Sequence, residues 1–566
     1  MPVLPTSGVP VDRARLSRRG FMAAGIAGGF ALAACSEPKS QVSGSAAQMS
    51  AAIAAAEAAR PHSGRTVTAS LQPQQTQIDL GGPVVRTLAF GSTIPGTLIR
   101  AKVGDELVVT VSNRLDHPTS VHWHGIALRN DMDGAEPATP NIPAGQDFTY
   151  RFSVPNSGTY WAHPHTGLDE DTGLYLPVII DDPTEGDYDA EWIVVLDDWT
   201  DGVGKSPQQL YAELTAPNKP PMPTMSTTST TPTTPTTSTT STTSTASTTS
   251  TTSTTSTTST TATTTSSSSS STPTSSTSPT TTTSATPGAS GVSVGRSDLL
   301  GGDAGDIAYP YYLINGRIPA APTTFNAKPG QRIRIRFINT GSDTAFRVAL
   351  AGHSMVVTHT DGYPVVPTQV DALLIGMAER YDVIVTAADG VFPLVAVAEG
   401  KNDLARALLS TGAGNPPDPG FQPAELTRRV GTIEMFTATT PVNLGRPDPN
   451  LNLPVVLGGD MMQYNWMING EPYDKTNPLH VRQGQHPSIT FDNPTMMYHP
   501  IHLHGHTFQL LKADGTAGAR KDTVIVLPKQ KVLAVLVADN PGTWVMHCHN
   551  TYHQFAGMMT RLDYVF

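Results

Sequence analysis

Alternating apolar and polar residues recur three times along the chain, each time between a glycine and an asparagine nine positions later. The three segments begin at Gly104, Gly330 and Gly484. An alternation with a period of two predicts a β-strand with one buried face, and the bounding Gly and Asn supply turns. The sequence therefore contains an internal repeat, and we expect three copies of one β-unit.

A second glycine opens a later strand in each copy, at Gly158, Gly390 and Gly542. The chain also has 49 Gly and 48 Pro, with little helical periodicity. Many short strands separated by turn residues are typical of β-sandwiches. We therefore predict an all-β protein with three sandwich domains in tandem.

One uncharged tract interrupts the second copy. Residues 226–287 consist almost entirely of Ser and Thr, with a few Pro and Ala. This composition cannot form a packed core, and it is typical of either an O-glycosylated stalk or a disordered loop. We predict domains at 65–185, 186–440 and 441–566, with the tract as an insertion in the second domain.

The charge content of the chain is low, at 15% of residues, whereas soluble domains average roughly 25%. The uncharged tract explains most of this deficit. The formal net charge of -11 argues against nucleic acid as a partner, because phosphates require clustered Lys and Arg. The 2 cysteines exclude a disulfide framework, so each needs its own interpretation.

The first cysteine follows an export signal. Arg18 and Arg19 precede an apolar segment that begins at Phe21 and ends in small residues before Cys35. This order is typical of a secretory signal, and the arginine pair resembles a twin-arginine leader. The residues before Cys35 resemble a bacterial lipobox. We predict a signal peptide over 1–35, lipidation of Cys35, a tether over 36–64, and anchoring to the cell membrane in the periplasm or cell envelope.

The histidines follow the repeat. Counting nine positions from the asparagine, or five from the second glycine, reaches a His-x-His pair in the first and third copies, whereas the middle copy has Val or Leu there. The four pairs are His122 and His124, His163 and His165, His502 and His504, and His547 and His549. Residues i and i+2 of a strand project from the same face. Eight imidazoles from two domains can therefore converge on one metal cluster.

The third copy carries a second constellation of metal-binding residues, which are His499, Cys548, His553 and Met558. They match the thiolate, two imidazoles and weak axial thioether of a blue-copper electron-transfer site. The first copy lacks these residue types at the corresponding positions. Because Cys548 lies between two cluster histidines on a predicted strand, its sulfur points to one side and both imidazoles to the other. One thiolate would thus link the two metal sites and give an electron a short bonded route.

With these four motifs the sequence resembles the three-domain multicopper oxidases, from about Arg65 to Phe566 apart from the insertion. The leader and the overall pattern resemble the mycobacterial-type exported lipoprotein members. The resemblance implies cupredoxin-like Greek-key domains and four copper ions: one type 1, one type 2 and two type 3. It also implies that single electrons pass from a substrate through the type 1 copper to a trinuclear centre, where O2 is reduced to water.

The resemblance also implies the ligand sets. The type 1 copper would take His499, Cys548, His553 and Met558; the type 2 copper His122 and His502; one type 3 copper His124, His163 and His549; and the other His165, His504 and His547.

Two positions bear on proton delivery. Asp133 corresponds to an acid that family members place near the trinuclear centre for this purpose, although it could be a simple turn aspartate. Many bacterial members carry Glu directly after the last type 1 histidine, whereas this chain has Gln554, which puts one proton route in doubt. Asp522 and His506 fit supporting positions better than ligand positions.

The resemblance implies Cu(I) as the substrate, because bacterial members of this type oxidise cuprous ion, and Cu(I) prefers sulfur donors. Candidate thioethers near the type 1 site are Met496, Met497, Met377 and Met559, although methionine also fills core gaps. Relatives with a defined Cu(I) site use an Asp where this chain has Thr495. The alternatives are a laccase-like phenol oxidase, a ferroxidase, or a copper-binding envelope scaffold without turnover. A monomer is expected.

Overall fold

The computed structural model describes residues 46–182, 185–217, 291–292 and 295–566. The predicted signal segment 1–35, with Cys35, and the Ser/Thr tract 226–287 lie outside the described residues. Within the described ranges, no helix combines the length and the apolar character needed to cross a membrane.

Helices are few and short. Among the described residues there are three α-helices, which are α1 (Ala46–Ala59), α2 (Pro207–Leu214) and α3 (Thr551–Phe555). Short 3-10 helices cover Asn130–Met132, Asp169–Asp171, Ala424–Thr427, Ile433–Met435, Thr440–Val442 and Tyr473–Lys475. Helix α1 lies inside the segment predicted as a tether, and it is held to the body of the protein because Glu57 Oε1 accepts a hydrogen bond from the Ser153 amide at 2.9 Å.

The first unit contains nine strands. They are β1 (Thr66–Leu71), β2 (Pro73–Asp79), β3 (Val84–Phe90), β4 (Ile99–Lys102), β5 (Glu106–Ser112), β6 (His122–His124), β7 (Asp147–Ser153), β8 (Gly158–His163) and β9 (Leu176–Asp181). One sheet has the order β1-β5-β7 and a second the order β4-β9-β8-β6, with β2 and β3 paired separately. The two larger sheets enclose an apolar core in which Trp123 packs against Tyr150 and Phe152.

In the part of the middle unit that the structure describes, there are sixteen further strands. They are β10 (Ala190–Trp199), β11 (Gly291–Val292), β12 (Arg296–Ser297), β13 (Gly302–Asp303), β14 (Ile307–Ala308), β15 (Tyr311–Ile314), β16 (Thr324–Asn326), β17 (Arg332–Asn339), β18 (Phe346–Leu350), β19 (Met355–Thr360), β20 (Tyr363–Val370), β21 (Ala372–Ile375), β22 (Arg380–Thr386), β23 (Val391–Ala398), β24 (Asp403–Ser410) and β25 (Val430–Gly431). Two six-stranded sheets have the orders β15-β10-β17-β22-β19-β20 and β16-β24-β23-β18-β21-β25.

The third unit contains the remaining strands. They are β26 (Asn452–Gly458), β27 (Met467–Ile468), β28 (Leu479–Val481), β29 (Ser488–Asp492), β30 (His499–Leu503), β31 (Phe508–Leu511), β32 (Ala517–Lys521), β33 (Thr523–Val526), β34 (Lys531–Leu536), β35 (Thr543–Cys548) and β36 (Met559–Tyr564). The sheets have the orders β27-β26-β29-β34-β31-β32 and β28-β36-β35-β30-β33.

The repeat read from the sequence corresponds to the same strand in each unit: β5, β17 and β29. Each pairs in parallel with an earlier strand (β1, β10 or β26) and antiparallel with a later one (β7, β22 or β34). The predicted all-β architecture of three tandem sandwiches is therefore confirmed.

The hydrogen bonds of the repeated asparagine show why this residue follows the strand in each unit. Asn113, Asn339 and Asn493 are fully buried, and each side-chain amide donates to two or more backbone carbonyls of neighbouring loops. Each Oδ1 accepts the amide of the residue two positions later. Asparagine combines the donors and the acceptor needed to close the loop after this strand.

Candidate metal centre

Strand pairing brings the four His-x-His motifs to one place between the first and third units. In the first unit β6 pairs with β8, so that His122 lies opposite His163. In the third unit β30 pairs with β35, so that His502 lies opposite His547. The second histidine of three motifs, at His165, His504 and His549, lies just beyond the end of its strand.

All eight imidazoles form one buried cluster. His122 stacks on His504, and His124 stacks on His502, each pair at 3.7 Å between ring centroids. His547 Nε2 lies 3.1 Å from His504 Nε2 and 3.4 Å from His165 Nε2. His549 completes the other side, with ring centroids 5.0 Å from His124 and 5.1 Å from His163. Both stacked pairs join one ring of the first unit to one ring of the third.

Protein groups hold the outer nitrogen of several rings. His122 Nδ1 donates to the Asp133 carbonyl at 2.9 Å, His504 Nδ1 to Asp133 Oδ2 at 2.8 Å, and His502 Nδ1 to the Asp522 carbonyl at 2.9 Å. On the inner side, His122 Nε2 and His502 Nε2 have no hydrogen-bond partner among the described residues, and His504 Nε2 faces His547 Nε2. Such oriented rings with free inner nitrogens are the usual outer arrangement of a metal site.

The protonation state of the cluster also suits a metal. Burial, followed by the charge of neighbouring histidines, holds the pKa of His163, His504 and His547 well below the ordinary value. The same causes lower the pKa of His165 to about 3. These four rings are thus neutral at physiological pH, which is the form that binds a metal. Clustered neutral imidazoles with orphaned inner nitrogens fit copper.

A second site lies on the other side of β35. Cys548 Sγ is 3.7 Å from His499 Nδ1 and 3.7 Å from His553 Nδ1, and these two nitrogens are 3.2 Å apart. Met558 is fully buried, and its carbonyl accepts the Cys548 amide. Burial raises the pKa of the Cys548 thiol, so binding a metal there requires the loss of its proton. The structure thus brings together all the residues predicted for the mononuclear site.

The outer nitrogens of the two histidines in this second site are also fixed. His499 Nε2 is 3.0 Å from Thr495 Oγ1, and His553 Nε2 donates to Asp306 Oδ2 at 3.0 Å. Tyr464 donates its hydroxyl to the same Asp306 oxygen at 2.8 Å. Asp306 comes from the middle unit and was missed in the sequence. A buried Asp there had no motif to mark it.

The predicted proton-delivery residue Asp133 lies within the cluster. It is fully buried and contacts His122 of the first unit and His504 of the third, as described above. Gln554 lies 3.5 Å from Glu170, whose Oε1 is 3.2 Å from His163 Nδ1. Burial raises the pKa of Glu170 to about 8. Glu170 was also missed; its one signal is the run of three acidic residues, Asp169–Asp171, just after the second His-x-His motif.

Asp522 and His506 occupy the supporting positions expected for them. Asp522 Oδ1 accepts from His124 Nε2 at 3.1 Å, in addition to its carbonyl contact with His502. Burial would raise the pKa of Asp522, but Arg380 and the two histidines hold it well below the ordinary value. His506 contacts the His504 carbonyl and the Tyr564 hydroxyl.

The candidate substrate methionines divide by exposure. Met377 and Met497 are buried, whereas Met496 is 64% exposed and Met559 is half-buried. A further exposed methionine, Met462, lies in the loop that leads to Tyr464, whose hydroxyl bonds Asp306. The adjacent pair Met461-Met462 was the available sequence signal, and it was missed.

Comparison with known proteins places these features in a family. Models described as "Multicopper oxidase" match residues 72–185, 293–413 and 446–565. The chain is 67% identical over 569 residues to "Multicopper oxidase MmcO" of Mycobacterium tuberculosis, covering 100% of both chains. It is 27% identical to "Copper resistance protein A homolog" of Pseudomonas syringae pv. tomato, covering 86% of this chain and 90% of the relative.

Solved structures share the fold. The laccase from Botrytis aclada superposes with a TM-score of 0.63 at 22% identity, covering 90% of this chain and 89% of the laccase. Fet3p, described as a multicopper oxidase that functions in iron import, superposes with a TM-score of 0.65 at 17% identity, covering 88% of this chain and 90% of Fet3p.

Proposed function

This chain belongs to the multicopper oxidase family, and we propose that it oxidises Cu(I) to Cu(II) for copper resistance in the cell envelope, with O2 as the electron acceptor. The family uses four copper ions, O2 and a one-electron reductant. The observation that carries the proposal is the complete set of twelve ligand-type side chains, brought together in two adjacent buried groups.

We carry the ligand sets over from the family resemblance, and the clustering of these side chains supports them. For the mononuclear copper they are His499, Cys548, His553 and Met558; for the type 2 copper His122 and His502; for the type 3 pair His124, His163 and His549 on one ion and His165, His504 and His547 on the other. The bound copper supplies the one-electron chemistry that the side chains lack.

The protein contributes a short connection between its two groups of ligands. Cys548 faces His499 and His553, while the residues on either side of it, His547 and His549, belong to the cluster. The two groups are therefore joined through the backbone of three consecutive residues. This supports the proposal that electrons travel along this part of β35.

Asp133 is the proposed proton-delivery residue. Its Oδ2 accepts from His504 Nδ1, and its other carboxylate oxygen lies 3.3 Å from His122 Nδ1. The carboxylate thus contacts one cluster histidine from each of the two units, where it would pass protons to the cluster. Glu170, next to Gln554, offers a second carboxyl group at the place where many bacterial relatives carry Glu.

The soft side chains near the mononuclear site favour Cu(I) as the donor. Met496, Met559 and Met462 reach the surface, and thioethers bind Cu(I) in preference to harder cations. Met377 and Met497 are buried, so they would contribute only if the surface opens. The copper-resistance name of several relatives supports the same choice.

Phenol oxidation is a second candidate. A cavity of about 390 Å³ is lined by Tyr473, Phe555 and Met559, together with the cluster residue His165. Its aromatic wall suits a small aromatic ring. Iron oxidation would need hard oxygen ligands, of which this cavity offers Glu136 and Asp474.

Export and anchoring are proposed from the sequence. Residues 1–35 would direct export by the twin-arginine route, and Cys35 would carry the lipid. Replacing Cys35 by Ala is expected to move the protein from the membrane fraction to the soluble fraction. Unchanged fractionation would refute the anchor while leaving the oxidase proposal intact. We further propose that the mature protein is a monomer with domains at 65–185, 186–440 and 441–566.

Oxygen uptake tests the function directly. Protein with measured copper content would be compared with Cu(I), Fe(II) and a phenol as donors. We expect Cu(I) to be oxidised most efficiently, and Met496→Leu with Met462→Leu to raise the KM for Cu(I) while leaving the phenol rate unchanged. The core methionine variant Met355→Leu is the control. Efficient uptake with the phenol alone would favour the second candidate, and no uptake with any donor would favour the non-catalytic scaffold.

A further inference from the structure

We propose that the middle unit, which supplies none of the proposed copper ligands, positions the histidine cluster through Arg380. In this arrangement Arg380 holds Asp522, and Asp522 in turn holds one histidine from each of the other two units. The inference rests on the ligand roles proposed above for His124 and His502, and it assigns Arg380 and Asp522 as positioning residues.

The first step is a paired contact between two fully buried charges. Arg380, at the start of β22, donates from Nη1 to Asp522 Oδ1 at 2.7 Å and from Nη2 to Asp522 Oδ2 at 2.5 Å. Both side chains have 0% exposure. A guanidinium and a carboxylate that meet through two parallel hydrogen bonds fix each other's orientation. Asp522 therefore has little freedom to rotate.

The second step is the contact of Asp522 with two histidines. Its Oδ1 accepts from His124 Nε2 at 3.1 Å, and its carbonyl accepts from His502 Nδ1 at 2.9 Å. These bonds place the ring protons on the outer nitrogens. His124 Nδ1 and His502 Nε2 remain without a hydrogen-bond partner among the described residues, and the two rings stack at 3.7 Å. One aspartate thus fixes a ligand of the proposed type 2 copper and a ligand of the proposed type 3 pair.

The backbone around this aspartate is also tied to the middle unit. Asp361 Oδ2 accepts the amides of Asp522 at 3.2 Å and Thr523 at 3.1 Å. Asp361 Oδ1 accepts the Arg380 amide at 2.9 Å. The turn between β32 and β33 is therefore held by Arg380 and Asp361 together.

The first unit also contacts the pair formed by Arg380 and Asp522. Arg380 Nε donates to the Thr159 carbonyl of β8 at 3.1 Å. Gly125, directly after His124, approaches so closely that a Cβ there would lie 2.3 Å from Arg380 Nη2 and 2.7 Å from Asp522 Oδ2. A side chain at this position would displace the pair, which explains the glycine after the His-x-His motif. All three units meet at Arg380.

A matched control is available in Arg336 of β17. Its side chain also has 0% exposure and, like Arg380, joins the middle unit to Thr159 of the first, because Nη1 donates to Thr159 Oγ1 at 2.9 Å and to Asp382 Oδ2 at 3.0 Å. Its hydrogen-bond partners do not include a proposed copper ligand. The two variants Arg380→Gln and Arg336→Gln thus remove the same kind of buried charge, and they differ in the contact with Asp522.

The experiment titrates copper into the full chain and measures two optical or magnetic signals in each variant. The blue absorption band reports the mononuclear site, and the electron paramagnetic resonance signal of the type 2 copper reports the cluster. In Arg380→Gln we expect the cluster to bind copper about 10- to 100-fold more weakly, with the blue band retained. Arg336→Gln is expected to keep both signals. Arg380→Lys is expected to lose part of the type 2 signal, because lysine keeps the positive charge but cannot form the two parallel hydrogen bonds to Asp522.

Two results would overturn the inference. The first is equal copper binding by the cluster in Arg380→Gln and Arg336→Gln. The second is parallel loss of both signals in Arg380→Gln and Arg380→Lys, because that would assign Arg380 to folding in general. The ligand roles are tested separately by His124→Ala. If this variant still binds the full complement of copper, the ligand assignment fails. If His124→Ala loses copper from the cluster and Arg380→Gln does not, only the positioning role fails.

Discussion

The carboxylate of Asp306 is expected to lower the reduction potential of the mononuclear copper. Asp306 Oδ2 accepts two hydrogen bonds, from His553 Nε2 at 3.0 Å and from the Tyr464 hydroxyl at 2.8 Å, and the side chain is fully buried. Because both partners donate, the oxygen acts as a carboxylate acceptor. Its negative charge stabilises the more positive, oxidised form of a copper bound at His553 Nδ1.

The magnitude follows from the hydrogen-bond distance. The 3.0 Å contact, the width of the imidazole ring and one coordination bond place the charge about 7 Å from the metal, and at an effective dielectric constant of about 20 this gives ~2 kcal/mol. For a one-electron couple, 1.36 kcal/mol corresponds to about 59 mV. Asp306→Asn is therefore expected to raise the potential by roughly 100 mV.

Redox titration of the blue absorption band measures this shift. Asp303→Asn is the control, because Asp303 ends β13 three residues before Asp306, and its side chain accepts a hydrogen bond from the Gly305 amide. Burial and the charge of Asp306 raise the pKa of Asp303 to about 7, so below that pH the control should change the potential little. An unchanged potential in Asp306→Asn, or an equal shift in both variants, would refute the electrostatic reasoning.

Three further predictions concern other parts of the molecule. Cys548→Ser should abolish both the blue band and oxygen uptake, since a hydroxyl is a poor copper ligand; oxygen uptake that persists would contradict the proposed electron route. Gly134→Ala should cost about 1–3 kcal/mol or more in chemical denaturation, because its φ is +85° and a Cβ would lie 1.8 Å from the Val121 carbonyl, whereas Gly145→Ala, with open space around it, should cost less. For Glu185, burial would raise the pKa, but its ion pairs lower it from the ordinary 4.5 to about 2. The stability advantage of the metal-free protein over Glu185→Gln should therefore be full above about pH 4.5 and vanish as the pH falls to about 2, and a gap that does not change with pH would contradict this.

The repeat made much of the fold predictable. Its strand, bounded by Gly and Asn, is set by local chemistry: alternation buries one face, and Asn113 and its two counterparts close the following loop with side-chain hydrogen bonds. The same spacing located the histidines, because each His-x-His pair begins at a fixed number of residues after the repeated asparagine or the second glycine. Fold class and family are confirmed for these reasons, while the individual ligand roles remain proposals.

The groups that support the histidines could not be predicted in the same way. Asp306 and Arg380 reach the two sites from elements distant in sequence, and no local pattern marks a residue whose partner lies 247 or 142 positions away. Glu170 is close to His163 in sequence, but the acidic run that contains it does not show which carboxylate contacts the histidine. For the methionines, the sequence indicated the chemistry but not the exposure of each side chain. Their residue type suggested Cu(I), but only packing decides that Met377 is enclosed and Met462 is exposed.

The two stacked pairs, His122 with His504 and His124 with His502, also determine when the histidine cluster can form during synthesis of the protein. The first motif leaves the ribosome long before β35 exists, and it has no complete set of partners until then. Contacts between such distant parts of a chain form slowly. The cluster is therefore assembled last, and copper bound there would mark a molecule whose synthesis and folding have both reached β35.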